Sequence, residues 1–229
     1  MNAKQKAGEK AAEFVKDGMT VGLGTGSTAY WTINKLGEMV KEGLRIRGIP
    51  TSLRSEEQAR ELGIPLVTFA DVEELDIAID GADEINPSLD LTKGGGGALL
   101  REKLVAAAAR RFIVVADASK KVEALGAFPL PVEVVTFAWE TTARRVAAQG
   151  CEPKLRRAAG GEPYVTDNGN YILDCNCGKI SDPPALHQAL KLLPGVVETG
   201  LFINFADLCV IASEDDVEII ERRQGAKAF

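Results

Sequence analysis

Three glycine-bearing turns in this 229-residue chain carry the residues best placed to do chemistry. The first is Gly22-Leu23-Gly24-Thr25-Gly26-Ser27-Thr28, between a short apolar run and a helix pattern. Glycines let backbone approach an anion, Ser27 and Thr28 add hydroxyl donors, and a helix start supplies N–H groups and a positive dipole end. A phosphate suits this turn; a tight βα turn with a capping hydroxyl is the plainer alternative. A dinucleotide fingerprint beginning at Gly22 would need glycine where Ser27 stands, and no Gly-Lys-Ser/Thr follows to make a P-loop. The second is Asp80-Gly81-Ala82-Asp83-Glu84-Ile85, after the apolar run Leu75 to Ile79. Ligands of open α/β sheets bind beyond the carboxyl ends of strands. Two carboxylates three residues apart there could hold adjacent sugar hydroxyls or a hard cation, or be only a solvated acidic turn.

The third turn is Lys93-Gly94-Gly95-Gly96-Gly97, leading into Ala98-Leu99-Leu100-Arg101-Glu102-Lys103. Consecutive glycines cost conformational entropy, which makes sense where backbone N–H groups must converge on a ligand. Lys93 adds a positive charge. On a helical wheel Glu102 shares a face with Ala98, Leu99, Val105, Ala106 and Ala109. A carboxylate on an apolar stripe is expected to be partly desolvated, the condition that makes a useful base. A salt-bridged helix glutamate is the alternative. His187, the single histidine, reads as solvated on a polar helix face, which leaves no Ser-His-Asp constellation. Cys151, Cys175, Cys177 and Cys209 match no zinc or disulfide spacing and are expected as thiols, with Cys175 and Cys177 on one side of a strand. Trp31 and Trp139 read as packing residues.

Alternating patterns must position these turns. Helices are expected at 4–16, 28–40, 55–62 and 97–110, and strands at 19–23, 44–49, 66–69, 75–79 and 112–116. Repeated βα units with continuously apolar strands imply a mostly parallel sheet covered by helices. Phe128-Pro129-Leu130-Pro131 breaks the rhythm. Beyond it come a strand 132–136, a helix 139–148, strands 164–166 and 171–174 around the turn Asp167-Asn168-Gly169-Asn170, a helix 184–193 and a strand 196–202. That β-α-β-β-α-β order resembles the ferredoxin-like motif. A strand at 208–212 could return to the main sheet. Residues 1–128 and 203–229 are therefore expected as the main domain, with 129–202 as a small α/β domain.

Composition narrows the function classes. A net charge of −6 argues against non-specific nucleic-acid binding, though a local site can still be positive. No apolar run reaches membrane-spanning length, and the first ten residues lack the apolar core of a signal peptide, so a cytoplasmic protein with no membrane partner is expected.

Taken together and in order, these segments resemble the ribose-5-phosphate isomerase A family. The resemblance rests on Gly24-Thr25-Gly26-Ser27-Thr28, on Asp80 to Ile85, and on Lys93-Gly94-Gly95-Gly96 followed by Leu100-Arg101-Glu102-Lys103. It extends to Ala116-Asp117-Ala118-Ser119-Lys120, Phe128 to Val134, Val165 to Asn170 and Pro194 to Phe202. The family implies a Rossmann-like main domain with helices on both faces, and a smaller ferredoxin-like α/β lid. It implies an aldose–ketose isomerase of the non-oxidative pentose phosphate pathway, with Calvin-cycle use in photosynthetic organisms. No metal and no organic cofactor are implied, and a homodimer or homotetramer is usual. Carried onto this sequence, Glu102 is the general base. Thr25, Gly26, Ser27, Thr28, Asp80, Gly81, Ala82, Asp83, Lys93, Gly94, Gly95, Gly96 and Lys120 contact substrate. Asp80 or Asp83 would open the furanose ring, and Lys93 would support the oxyanion. Gly97 stands where many members carry another small residue, with no expected consequence. Rival readings are a Mg²⁺-dependent phosphotransferase using Asp80 and Asp83, a non-catalytic sugar-phosphate sensor, and an isomerase of other specificity.

Overall fold

The computed structural model describes residues 2–222; residues 1 and 223–229, part of the range expected for the main domain, lie outside the described residues. Helix α1 (Ala3–Ala12) starts where the Asn2 side chain accepts from the Gln5 N–H. There follow β1 (Thr20–Leu23), α2 (Ala29–Lys41), β2 (Arg47–Pro50) and α3 (Leu53–Glu61), the last capped by Ser52. Next come β3 (Ile77–Gly81), β4 (Glu84–Ile85), β5 (Leu91–Thr92), α4 (Leu99–Ala107) and β6 (Phe112–Asp117), which ends in a 3₁₀ turn, Ala118–Lys120. Then β7 (Leu130–Val134), α5 (Trp139–Ala147), β8 (Glu152–Leu155) and β9 (Tyr171–Asn176) precede α6 (Pro183–Lys191), where Asp182 caps a proline-led first turn. The chain finishes with β10 (Val196–Thr199), β11 (Leu201–Phe202), β12 (Leu208–Ala212) and β13 (Val217–Glu221).

The described residues form two compact units. The first holds those up to Ala82, Arg101–Lys120 and those from Asn204 onward; the second holds Asp83–Leu100 and Lys121–Ile203. In the first, six strands lie in the order β13-β12-β6-β3-β1-β2, parallel except for the antiparallel edge β13. Val21 and Leu23 pack with Ala7 and Ala11 of α1 and Ile33 and Leu36 of α2. Gly22, pointing the other way, lies against Val105 of α4. Helices therefore cover both faces, which is why β12 is apolar throughout and β3 and β6 are continuously apolar up to their carboxyl ends rather than alternating.

In the second unit, β10-β7-β9-β8 form an antiparallel sheet with α5 and α6 as its crossovers, the ferredoxin-like order read from the sequence. The small sheet β11-β5-β4 belongs to this unit as well. Glu84, 2% exposed, joins it to the segment before β7: its carboxylate accepts from Thr92 Oγ1 (3.0 Å), Gly126 N (2.9 Å) and Phe128 N (2.7 Å). The stretch 129–202 thus falls inside a unit that also takes in 83–100 and 121–128.

Several expectations are corrected. Residues 66–69 make one bridge, Leu66 to Gly48, because the Asp71 carboxylate takes the Thr68 N–H and hydroxyl and turns the chain. The second strand of the ferredoxin-like order is 152–155, not 164–166. β8 is a half-exposed edge strand interrupted by Pro153, so it leaves little apolar signal. Residues 166–170 instead close a compact turn, with Thr166 Oγ1 donating to the buried Glu133 carboxylate at 3.0 Å and accepting from Asn170 N. The run 196–202 divides at Gly200 between two sheets. His187 is not simply solvated: its Nδ1 lies 2.7 Å from the hydroxyl of the buried Thr199.

Two of the expected thiols are joined. Cys151 and Cys177 form a disulfide with Cα atoms 4.1 Å apart. Register explains it, since Glu152 pairs with Asn176 and one step further puts Cys151 opposite Cys177. Cys175, two residues before Cys177 and on the same side of the strand, is a buried free thiol, and burial pushes it up to about 12, as it does that of Cys209. Thiol titration at pH 8 should find no fast-reacting cysteine in the native protein. Without reductant it should find two in denaturant, and four after reduction. Closing a 26-residue separation should stabilise the second unit by about 3 kcal/mol, measured as the stability lost in Cys151→Ser.

Candidate active site

In the first unit the expected residues gather at the carboxyl ends of β1, β3 and β6. Asp80, the fourth residue of β3, is 2% exposed, and its Oδ1 accepts from Thr25 N at 2.8 Å and from Gly81 N at 2.7 Å. Gly24 is where that carboxylate and the β1 backbone meet. A Cβ there would stand 2.3 Å from Asp80 Oδ1 and 2.5 Å from the Ile79 carbonyl oxygen, so only glycine fits. Glu102, on the first turn of α4, is 4% exposed. With Gly22, Gly24, Thr51 and Asp80 it lines one small recess whose remaining wall includes Val105 and Ala106. The helical wheel had already placed Glu102 on that apolar stripe.

Thr25 also has a structural part. Its hydroxyl lies 2.7 Å from Thr51 Oγ1, 2.8 Å from Ser52 Oγ and 3.1 Å from Ser55 Oγ, so it ties the β1 turn to the start of α3. Gly26 and Ser27 are exposed, and Thr28 is the buried N-cap of α2 without a side-chain capping bond. Lys4, left out of the sequence-derived site, donates from Nζ to Ser27 Oγ at 3.0 Å. The helix 4–16 was legible, but its side chains carry no local signal of what a distant loop will offer them. Lys120 is half-buried in the 3₁₀ turn after β6. Burial raises the Asp117 carboxyl, but hydrogen bonds from the Ser119 side chain and N–H, with Lys120 and Lys4 nearby, hold it below its ordinary value. Lys4, Lys120, Ser27 and the start of α2 make this edge of the first unit suited to an anion.

In the second unit, half-buried Asp83 accepts from Gly95 N at 2.7 Å, and its own N–H donates to the Thr92 carbonyl at 2.8 Å. Lys93 is 2% exposed; its N–H donates to the Gly200 carbonyl, and its Nζ stands 5.3 Å from the centre of the Phe202 ring. Gly95 and Gly96 are exposed. Gly97 has a consequence after all: its φ is +83°, and a Cβ would lie 2.3 Å from the Tyr164 hydroxyl. Gly81 and Ala82 are half-buried at the end of β3. Among the described residues no group of His, Cys, Asp or Glu is arranged to hold a metal ion.

Chemically, the first unit offers a buried carboxylate base beside a fixed carboxylate acceptor and a cationic anion site. The second offers a glycine loop with a lysine. Gly24→Ala should push Asp80 off the Thr25 N–H and lower kcat by ~10²-fold, as displacement of reacting groups by about 1 Å does. Steady-state kinetics beside a thermal melt would separate this from unfolding.

The description Ribose 5-phosphate isomerase A (phosphoriboisomerase A) belongs to the family model that matches residues 47–216. The chain is 53% identical over 219 residues to ribose-5-phosphate isomerase A of Bacillus mycoides (strain KBAB4), covering 95% of this chain and 99% of that one. Among solved structures, ribose 5-phosphate isomerase A of Methanocaldococcus jannaschii superposes with a TM-score of 0.91 at 40% identity, covering 96% of this chain and 98% of that one. A D-ribose-5-phosphate isomerase in complex with phospho-erythronic acid gives 0.93 at 37% identity, covering 97% and 100%. With its fold and near-complete coverage in agreement, the chain belongs to the ribose 5-phosphate isomerase A family, a family of aldose–ketose isomerases.

Proposed function

We propose that the chain interconverts D-ribose 5-phosphate and D-ribulose 5-phosphate through a cis-enediolate, with Glu102 moving the proton. The observation that carries this is the seat of Glu102, a nearly fully buried carboxylate in a recess walled by glycine backbone and Asp80. Desolvation strengthens such a base, and glycine at 22 and 24 lets the β1 backbone lie against Val105 and Asp80, where a Cβ would clash. Asp80 or Asp83 takes the ring hydroxyl proton as the furanose opens. Glu102 then removes the proton from C2 and returns it to C1 on the same face of the planar intermediate. The electron pair from the C2–H bond forms the C1–C2 double bond while the C1 carbonyl becomes an oxyanion; the O2 hydroxyl proton then passes to O1, so that protonation of C1 leaves the carbonyl at C2. Lys93 and the N–H groups of Gly94 to Gly96 stabilise that charge.

Thr25 to Thr28, Gly81, Ala82 and Lys120 complete the substrate contacts, and Lys4 joins Ser27 at the phosphate. The phospho-erythronic acid held by a solved relative supports the reading, because its planar carboxylate and terminal phosphate resemble the two ends of the enediolate. No metal, organic cofactor, nucleic acid or membrane takes part, and the chain works as a homodimer or homotetramer. Its setting is the cytoplasm, where a dianionic sugar phosphate that cannot cross a bilayer is made and used. Among the described residues no helix is long and apolar enough to cross a membrane.

Glu102→Gln should lower kcat by at least ~10²–10⁴-fold with little change in KM, because a base acts only in the transition state. The assay is ribulose 5-phosphate formation in EDTA. Full activity in the variant would refute the base, and loss of wild-type activity in EDTA would favour the metal-dependent rival.

A further inference from the structure

We propose that Arg156 is a positioning residue for the isomerase reaction, acting through the glycine loop and Asp83. The proposal rests on the reading of Gly94 to Gly96 as substrate-contacting backbone. Arg156 follows β8 and is mostly buried, with 14% of its side chain exposed. Its Nε donates to one Asp174 oxygen at 2.9 Å and its Nη2 donates to the other, so one edge of the guanidinium is fixed by a bidentate pair. The remaining nitrogen, Nη1, donates to the Gly94 carbonyl at 2.9 Å and to the Gly95 carbonyl at 3.3 Å. The Tyr164 ring, 5.9 Å from the guanidinium carbon, backs the same group, and its hydroxyl lies against Gly97.

The consequence follows from peptide geometry. In a trans peptide the C=O and the next residue's N–H point in opposite directions. Drawing the Gly94 and Gly95 carbonyls to Arg156 therefore turns the Gly95 and Gly96 N–H groups to the far side of the loop. The Gly95 N–H is found there, donating to Asp83 Oδ2 at 2.7 Å. Glycine has no side chain to fix its own peptide planes, so a loop of four glycines would otherwise sample many orientations. Arg156 holds the planes so that the donors are set before substrate arrives, which is where preorganised N–H groups gain their catalytic worth. Lysine cannot replace it fully, because a single ammonium cannot span both the carboxylate and two carbonyls in one plane.

The test compares wild type, Arg156→Met, Arg156→Lys, Asp83→Asn and the double variant Arg156→Met/Asp83→Asn in kcat, KM, thermal midpoint and inhibition by phospho-erythronic acid. Arg156→Met is expected to lose ~10–100-fold in kcat, the cost of about 1 Å of misplacement, with KM within about three-fold and phospho-erythronic acid binding weakened in parallel. Arg156→Lys should recover part of the loss. The double variant should be little worse than the poorer single one, since both residues act on the same peptide planes. Should Arg156→Met fail to fold, Asp174→Asn loosens the same fork and should lose several-fold in kcat. Unchanged kcat in Arg156→Met or in Asp174→Asn would overturn the proposal. So would losses that multiply independently with Asp83→Asn, or a loss that follows the melting point and is not relieved by lysine. An active Glu102→Gln enzyme would sink the base assignment alone, leaving Arg156 to be judged by its coupling to Asp83.

Discussion

The burial of two carboxylates against glycine backbone is the constraint on which the first unit depends. Asp80 and Glu102 are each less than 5% exposed, in a part of the fold otherwise built from Val, Ile and Ala. A buried carboxylate is costly unless its oxygens meet donors. For Asp80 those donors are the N–H groups of Thr25 and Gly81, which fixes the turn after β1 relative to the end of β3. Glycine at 22 and 24 lets the β1 backbone approach Val105 and Asp80, where a Cβ would clash. The parallel sheet supplies the frame, because β1, β3 and β6 all end at the same edge, and α4 brings Glu102 to it.

The second unit solves a different problem, that of giving glycine-rich backbone one conformation. Glu84 gathers three donors from two segments, Arg156 takes two loop carbonyls, and Asp83 takes the N–H on the far side. None of these bonds is local in sequence. The Cys151–Cys177 bond ties one end of the β8–β9 ladder, and Arg156 reaches the loop from the other end, so the sheet that carries the arginine is itself covalently closed.

How much of this was legible depended on the range of the interaction. The parallel strands showed as continuous apolar runs, the glycine turns as composition, and Glu102 as an odd residue on a helical wheel, because all three are short-range patterns. β8 was missed because an exposed edge strand with a proline needs no apolar pattern. The strand expected at 164–166 was wrong because Thr166 and Asn170 spend their hydrogen bonds on each other and on Glu133. The disulfide and the clamp of Arg156 were invisible, since each joins segments 26 or more residues apart through register or packing. Thr25 was read as a ligand contact from its motif; the contacts of its hydroxyl with Thr51, Ser52 and Ser55, 26 to 30 residues away, left no local signal.

The central claim is that a single buried carboxylate carries a proton between C2 and C1. Isomerisation of ribose 5-phosphate in D₂O, followed by NMR of both sugars to equilibrium, tests it most directly. Proton transfer through a carboxylate that exchanges with solvent would place deuterium at C1 of ribulose 5-phosphate and at C2 of recovered ribose 5-phosphate. Neither carbon acquiring deuterium after many turnovers would mean that no hydrogen passes through a solvent-exchanging carboxylate, and would contradict the account.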